Sequence, residues 1–123
     1  MDIAYWLMAW FLAAFYAYAG GRKVAQSQAE LAPMMPWAGT TIPMSGVRVI
    51  GAAELLGAIG LVLPPLLDIV ASWLAIPAAV GLALLQLLAA LLHLSRRETA
   101  IIWMNIVLFL LAAVTAWLAA VRW

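Results

Sequence analysis

Glu54 stands in the middle of an apolar run from Val47 to Leu63, and any chemistry in this chain has to be read around it. An ionisable group at the centre of such a run costs several kcal/mol in lipid unless it is paired or hydrated. A carboxylate kept there can pass protons to a ligand when neutral, or hold the helices in register when ionised. Other polar residues interrupt the neighbouring apolar runs: Tyr16 and Tyr18, Arg48, Gln86 and His93, and Asn105. Gln86 and His93 are seven residues apart, nearly two helical turns, so they share a face. Tyr, His and Gln are suitable hydrogen-bond partners for the oxygens of a quinone, with Glu54 as the proton relay. Arg48 is the only cation of the Glu54 run and lies roughly 9–10 Å from it along a helix axis. An Arg48–Glu54 pair would be structural, and a His close to a helix end is often simply interfacial. The expectation is that Glu54 points inward and meets Gln86, Asn105, Tyr16 or Arg48.

Composition decides what surrounds these residues. Hydrophobic residues are 69% of the 123 and charged residues 9%, more apolar surface than a soluble core of this size can hide. The lipid bilayer is therefore the solvent. A net charge of +1 without a basic cluster gives no sign of nucleic-acid binding. The absence of cysteine excludes disulfides, thiolate metal sites and thiol redox chemistry within the chain.

Four apolar blocks are long enough to approach the ~20 residues of a membrane crossing. They run from 3 to 20, 47 to 63, about 69 to 94 and 100 to 121, the second ending at Pro64-Pro65. No block alternates with period two, and lipid demands internally satisfied backbone, so the blocks are helices. The fold class is all-α: a polytopic membrane protein, one membrane domain built as an antiparallel bundle of four transmembrane helices. Pro77 either kinks the third helix or marks its first turn. The first block lacks a basic leader and a cleavage site, so it reads as a span and not a signal peptide.

With four crossings, the 21–46 and 95–99 loops share one side. That side carries Arg22, Lys23, Arg96 and Arg97, with Arg48 at its edge. The positive-inside rule puts it in the cytoplasm and both termini outside, for a multi-pass protein of a bacterial inner membrane. Tyr5, Trp6, Trp73, Trp103, Trp117 and Trp123 fit interfacial belts. Tyr16, Tyr18, Arg48, Glu54, Gln86, His93 and Asn105 all fall in the cytoplasmic half. The outer half holds little that is polar beyond Ser72 and Thr115. The asymmetry implies a polar pocket inside the bundle that opens towards the cytoplasm. In the 21–46 loop, Val24 to Leu31 can form two helical turns before Pro33, Pro36 and Pro43 break the chain. Met34, Met35 and Trp37 lie either among lipid headgroups or as a lid over the pocket.

The second run places Arg48, Gly51, Glu54, Gly57 and Gly60 three residues apart, and Ala53 with Gly57 forms a small-xxx-small pair suited to close helix packing. From Arg48 to Pro64 this run resembles the signature of DoxX-like small membrane proteins. Ala19-Gly20 followed by Lys23, and His93 ahead of a short basic loop, agree with it. The matching positions are Gly20, Lys23, Arg48, Gly51, Glu54, Gly57, Gly60, Pro64 and His93. The resemblance implies four helices and association with membrane redox complexes. DoxX-type proteins are named after a subunit of a thiosulfate:quinone oxidoreductase, and mycobacterial relatives are associated with an oxidoreductase complex. Distant animal relatives include a receptor chaperone. It implies no particular reaction.

Three readings follow. The protein is a non-enzymatic subunit or accessory of a quinone-linked membrane complex, with oxidoreductase subunits as partners and a quinone as candidate ligand. Alternatively it is an assembly helper that docks other membrane proteins. The third reading is small-solute transport, which would require a homo-oligomer because the outer half lacks a polar lining. No nucleotide motif, metal cluster or nucleophile–base pair points to an enzyme acting alone.

Overall fold

The computed structural model describes residues 2–68 and 72–123, and of Asp2 the backbone alone. Among the described residues, five α-helices form: α1 (Asp2–Ala25), α2 (Gln28–Leu31), α3 (Met44–Leu67), α4 (Ala75–Ser95) and α5 (Ile102–Arg122). Short 3-10 turns, Ser72–Leu74 and Thr99–Ile101, lead into α4 and α5. Four of the resulting helical segments, Ile3–Ala25, Met44–Leu67, Ser72–Ser95 and Thr99–Arg122, are long and apolar enough to cross a membrane. No strand forms among the described residues. The expected start of the third span at Ile69 lies outside the described residues.

The long helices close a ring in which α1 packs on α3, α3 on α4, α4 on α5 and α5 back on α1. Each buries a stripe spaced alternately three and four residues. On α1 the stripe is Tyr5, Ala9, Leu12, Tyr16, Ala19 and Lys23; on α3 it is Val47, Gly51, Glu54, Ala58, Leu61 and Pro65. Ala75, Ala79, Leu82 and Gln86 continue it on α4, and Asn105, Leu108, Ala112, Thr115 and Ala119 on α5. That spacing averages 3.5 residues, the seam of a left-handed bundle. Each stripe carries two glycine or alanine residues, which let backbones approach where lipid gives no hydrophobic drive to associate. Many large apolar side chains also face outward, Leu7 at 69% and Leu56 at 70% exposed. Ala53 also faces outward, so the small pair expected with Gly57 is not an internal contact. Gly57 packs alone, its missing Cβ replaced by the Leu82 side chain, and Gly60 lies against Ala78.

Two expected helix ends are overrun. The first helix continues past Gly20-Gly21 to Ala25, because Gly20 is buried against α3. The second does not stop at Pro64-Pro65 but runs on to Leu67, where Asp68 closes it in the left-handed conformation. Pro65 has no N–H for the carbonyl of Leu61, four residues back. The Tyr5 hydroxyl donates to that carbonyl instead, at 2.5 Å. Tyr5 is thus 1% exposed and structural, not a residue of an interfacial belt. Trp6 and Trp123 meet its ring edge-on, whereas Trp73, Trp103 and Trp117 are exposed on the outer surface as expected. Pro77 lies in the first turn of α4, where a missing N–H costs nothing.

Candidate functional site

The site begins with the crossing of α1 and α3. A Cβ on Gly20 would stand 2.7 Å from the carbonyl oxygen of Gly51, and one on Gly51 would stand 2.8 Å from that of Gly20. Only glycine at both positions allows that approach. Lys23 and Glu54 each follow their glycine by three residues, so the notch carries both side chains into the same interior corner. Nζ of Lys23 lies 2.7 Å from Oε1 of Glu54, with the two side chains 10% and 6% exposed. At that distance the ammonium and the carboxylate form a buried, charge-assisted ion pair.

Lys23, and not Arg48, Gln86, Asn105 or Tyr16, is therefore the partner of Glu54. Arg48 is used elsewhere: its Nη1 donates to the carbonyl of Lys23 at 2.7 Å and to that of Gln26. These carbonyls belong to the end of α1, where the helix has no N–H donors left for them and its dipole favours a cation. Lys23 was legible as a motif position, but its pairing depends on two helices meeting at glycines, which linear spacing does not reveal.

A second network lies beside the pair. Asn105 Nδ2 donates to Gln86 Oε1 at 2.9 Å, and Gln86 Nε2 donates to the Tyr16 hydroxyl at 2.6 Å. The three residues join α5, α4 and α1, and all three are buried. Oδ1 of Asn105 is buried without a hydrogen-bond partner.

These groups border a cavity of about 330 Å³. Its wall is mainly apolar and includes Phe15, Leu85, Leu92, Met104 and Leu108, and its polar lining comes from Lys23, Glu54, Gln86, His93 and Asn105, with Arg22. Tyr18 and Leu88 line it as well, although they are 65% and 62% exposed on the outer surface. Of the residues named from sequence, Glu54, Gln86, His93, Asn105 and Tyr18 thus meet at one cavity. Tyr16 stands behind Gln86, and Arg48 lies outside the lining. Pro64 and Gly60 are at the other end of α3.

The 21–46 segment covers the cavity. Leu31, Trp37 and Ala38 form a small core with Val47, against which Leu92 packs, while Met34, Met35 and Trp37 turn towards the cavity. α2 spans only Gln28–Leu31, shorter than the expected stretch from Val24, and Ser27 and Glu30 cap it reciprocally. Arg22 ties the cover down through Met34 Sδ at 3.2 Å, and Arg96 ties it to the other loop through Thr41. His93 Nδ1 meets Glu98 Oε1 at 2.9 Å, and Arg96 Nε joins the same oxygen at 3.2 Å. The hydrogen bond from His93, followed by Arg96, holds the Glu98 carboxyl below its ordinary range.

Among the described residues, four membrane-long helices around a mainly apolar cavity with a polar corner at Glu54 make this a small integral membrane protein. A model of the DoxX-like family matches residues 7–115, and the chain belongs to that family. No curated protein and no solved structure matches it.

Proposed function

We propose that this protein is a non-enzymatic accessory of a membrane redox complex, and that its cavity holds the head group of a quinone-type lipid. The observation that carries the reading is the cavity itself. It pairs an apolar wall, suited to a substituted ring, with a charge pair and two carboxamides at the Glu54 corner. Sites for lipophilic small molecules have this make-up, mostly apolar with a few convergent polar groups. Tyr18 and Leu88 belong to both the lining and the outer surface, which suits entry from lipid. The basic residues of the two loops support an orientation with the covered end in the cytoplasm and both termini outside.

Transport is disfavoured because, among the described residues, the buried polar side chains Lys23, Glu54, Gln86 and Asn105 gather at the covered end and only Thr115 lies deep in the other half. The Thr115 hydroxyl is turned back on its own helix at Leu111.

Mass spectrometry of the protein purified in mild detergent tests the reading. A quinone-type lipid should accompany the wild type and be lost when Ala89→Phe fills the cavity. Equal quinone content in both proteins, or none in either, would remove the basis of the proposal.

A further inference from the structure

Arg22 is a second cation in the cavity lining, beside the paired Lys23. Its Nε donates to Oε1 of Gln26 at 2.7 Å, and its Cζ lies over the Tyr18 ring, 5.7 Å from the centroid. These contacts, from residues four positions to either side, fix the guanidinium in place. Nη1 donates to Met34 Sδ at 3.2 Å, and a thioether is a weak acceptor. Lys23 has Glu54, Arg96 has Glu98, and Arg48 has the carbonyls at the end of α1. Among the described residues no carboxylate pairs with Arg22. The Glu30 carboxyl is lowered first by its bonds to Ser27 and least by Arg22, so it does not neutralise the guanidinium. A fixed guanidinium with only a soft sulfur on its outer edge suits an oxyanion, which accepts far stronger, charge-assisted bonds.

The surroundings say what carries that oxyanion. Phe11, Phe15, Tyr18 and Arg22 follow one another at spacings of four, three and four, so they share one face of α1. Phe15, Tyr18 and Arg22 line the cavity, while Phe11 and Tyr18 are 55% and 65% exposed on the outer surface. The face is aromatic along its length and cationic at the covered end. We propose that it binds an acidic amphiphile, an oxyanion on an acyl chain, with the oxyanion on Arg22 in place of the Met34 sulfur and the chain along Tyr18, Phe15 and Phe11. The site recognises charge at the cavity mouth and stands independently of a quinone at the Glu54 corner.

A free fatty acid and an anionic phospholipid share this chemistry. Native mass spectrometry of the full chain in a non-ionic detergent compares oleate, dioleoylphosphatidylglycerol and zwitterionic dioleoylphosphatidylcholine. At least one acidic probe is expected to bind roughly tenfold tighter than the phosphatidylcholine, the worth of one hydrogen bond to a charged group. Oleate ahead assigns the site to a free acid, and phosphatidylglycerol ahead to a membrane lipid. Arg22→Gln should remove the preference. Arg97→Gln, which deletes an exposed charge on the same side, should leave it unchanged. Met34→Leu, which removes the competing sulfur, should keep or strengthen it. No preference in the wild type, or equal losses in Arg22→Gln and Arg97→Gln, would show a general attraction to the basic loops and overturn the proposal. Should Arg22→Gln not fold, Met34→Leu still decides: weaker binding of the acidic probe there would overturn the exchange of sulfur for oxyanion on which the site is built.

Discussion

Lys23 and Glu54 are joined by an exchange of places across two helices: Lys23 lies against Gly51, and Glu54 against Gly20. Each long side chain fills the hollow that the opposite glycine leaves, and the two ends meet at 2.7 Å. Losing one partner leaves an uncompensated buried charge. Lys23→Met alone should therefore cost about 3–5 kcal/mol, and Glu54→Gln should be clearly destabilising as well, while Lys23→Met with Glu54→Leu should recover most of the loss. Thermal unfolding in detergent measures this. Single variants as stable as the wild type would show the pair to be solvated in the membrane.

The glycine notch predicts a positional contrast. Gly20→Ala and Gly51→Ala each drive a Cβ into a backbone carbonyl and should cost about 1–3 kcal/mol. Gly57→Leu should prevent folding, because Leu82 already fills that space. Gly21 and Gly81 have open space around them, so alanine there should be neutral or stabilising by up to about 1 kcal/mol. If all the glycines respond alike, the close crossing is wrong.

Tyr5→Phe tests how α3 passes its two prolines. Without the hydroxyl, the Leu61 carbonyl has no donor, and the loss should be about 1–3 kcal/mol. Hydrogen exchange should rise in the last turns of α3, near Leu67, and stay unchanged at Glu54. Uniform protection along the helix would assign the continuation to something other than Tyr5.

A pH dependence should appear in the covering loops. Glu98 is held below its ordinary value in the folded protein, by His93 first and Arg96 second. A carboxyl whose folded pKa is depressed adds stability that is fully present above its unfolded pKa, about 4.3, and is lost as the pH falls through the lower folded value. Acidification from about pH 5 to pH 3 should therefore loosen the 93–98 turn and, through Arg96 and Thr41, the cover at 37–42. Hydrogen exchange of these segments reads it out, and Glu98→Gln should abolish the acid step. A step that survives in Glu98→Gln belongs to another group.

What the sequence by itself determined is the solvent and the element count. Apolar content and block lengths leave little alternative to helices in lipid, and the polar residues crowd towards one end of those blocks. Glu54, Gln86, His93 and Asn105 were legible because polar side chains in lipid-length runs are conspicuous. The tertiary structure decided the pairing. Lys23 sits at the edge of the first apolar block and looks interfacial in one dimension, whereas Arg48 shares the run of Glu54 and looks like its partner. Two glycines bring α1 and α3 close enough for Lys23 to reach Glu54, and the open carbonyls at the end of α1 hold Arg48 instead. The helix ends were misread for the same reason. A glycine pair and a proline pair are stop signals for an isolated chain, but contacts from a neighbouring helix, Gly51 in one case and the Tyr5 hydroxyl in the other, supply what the local sequence lacks.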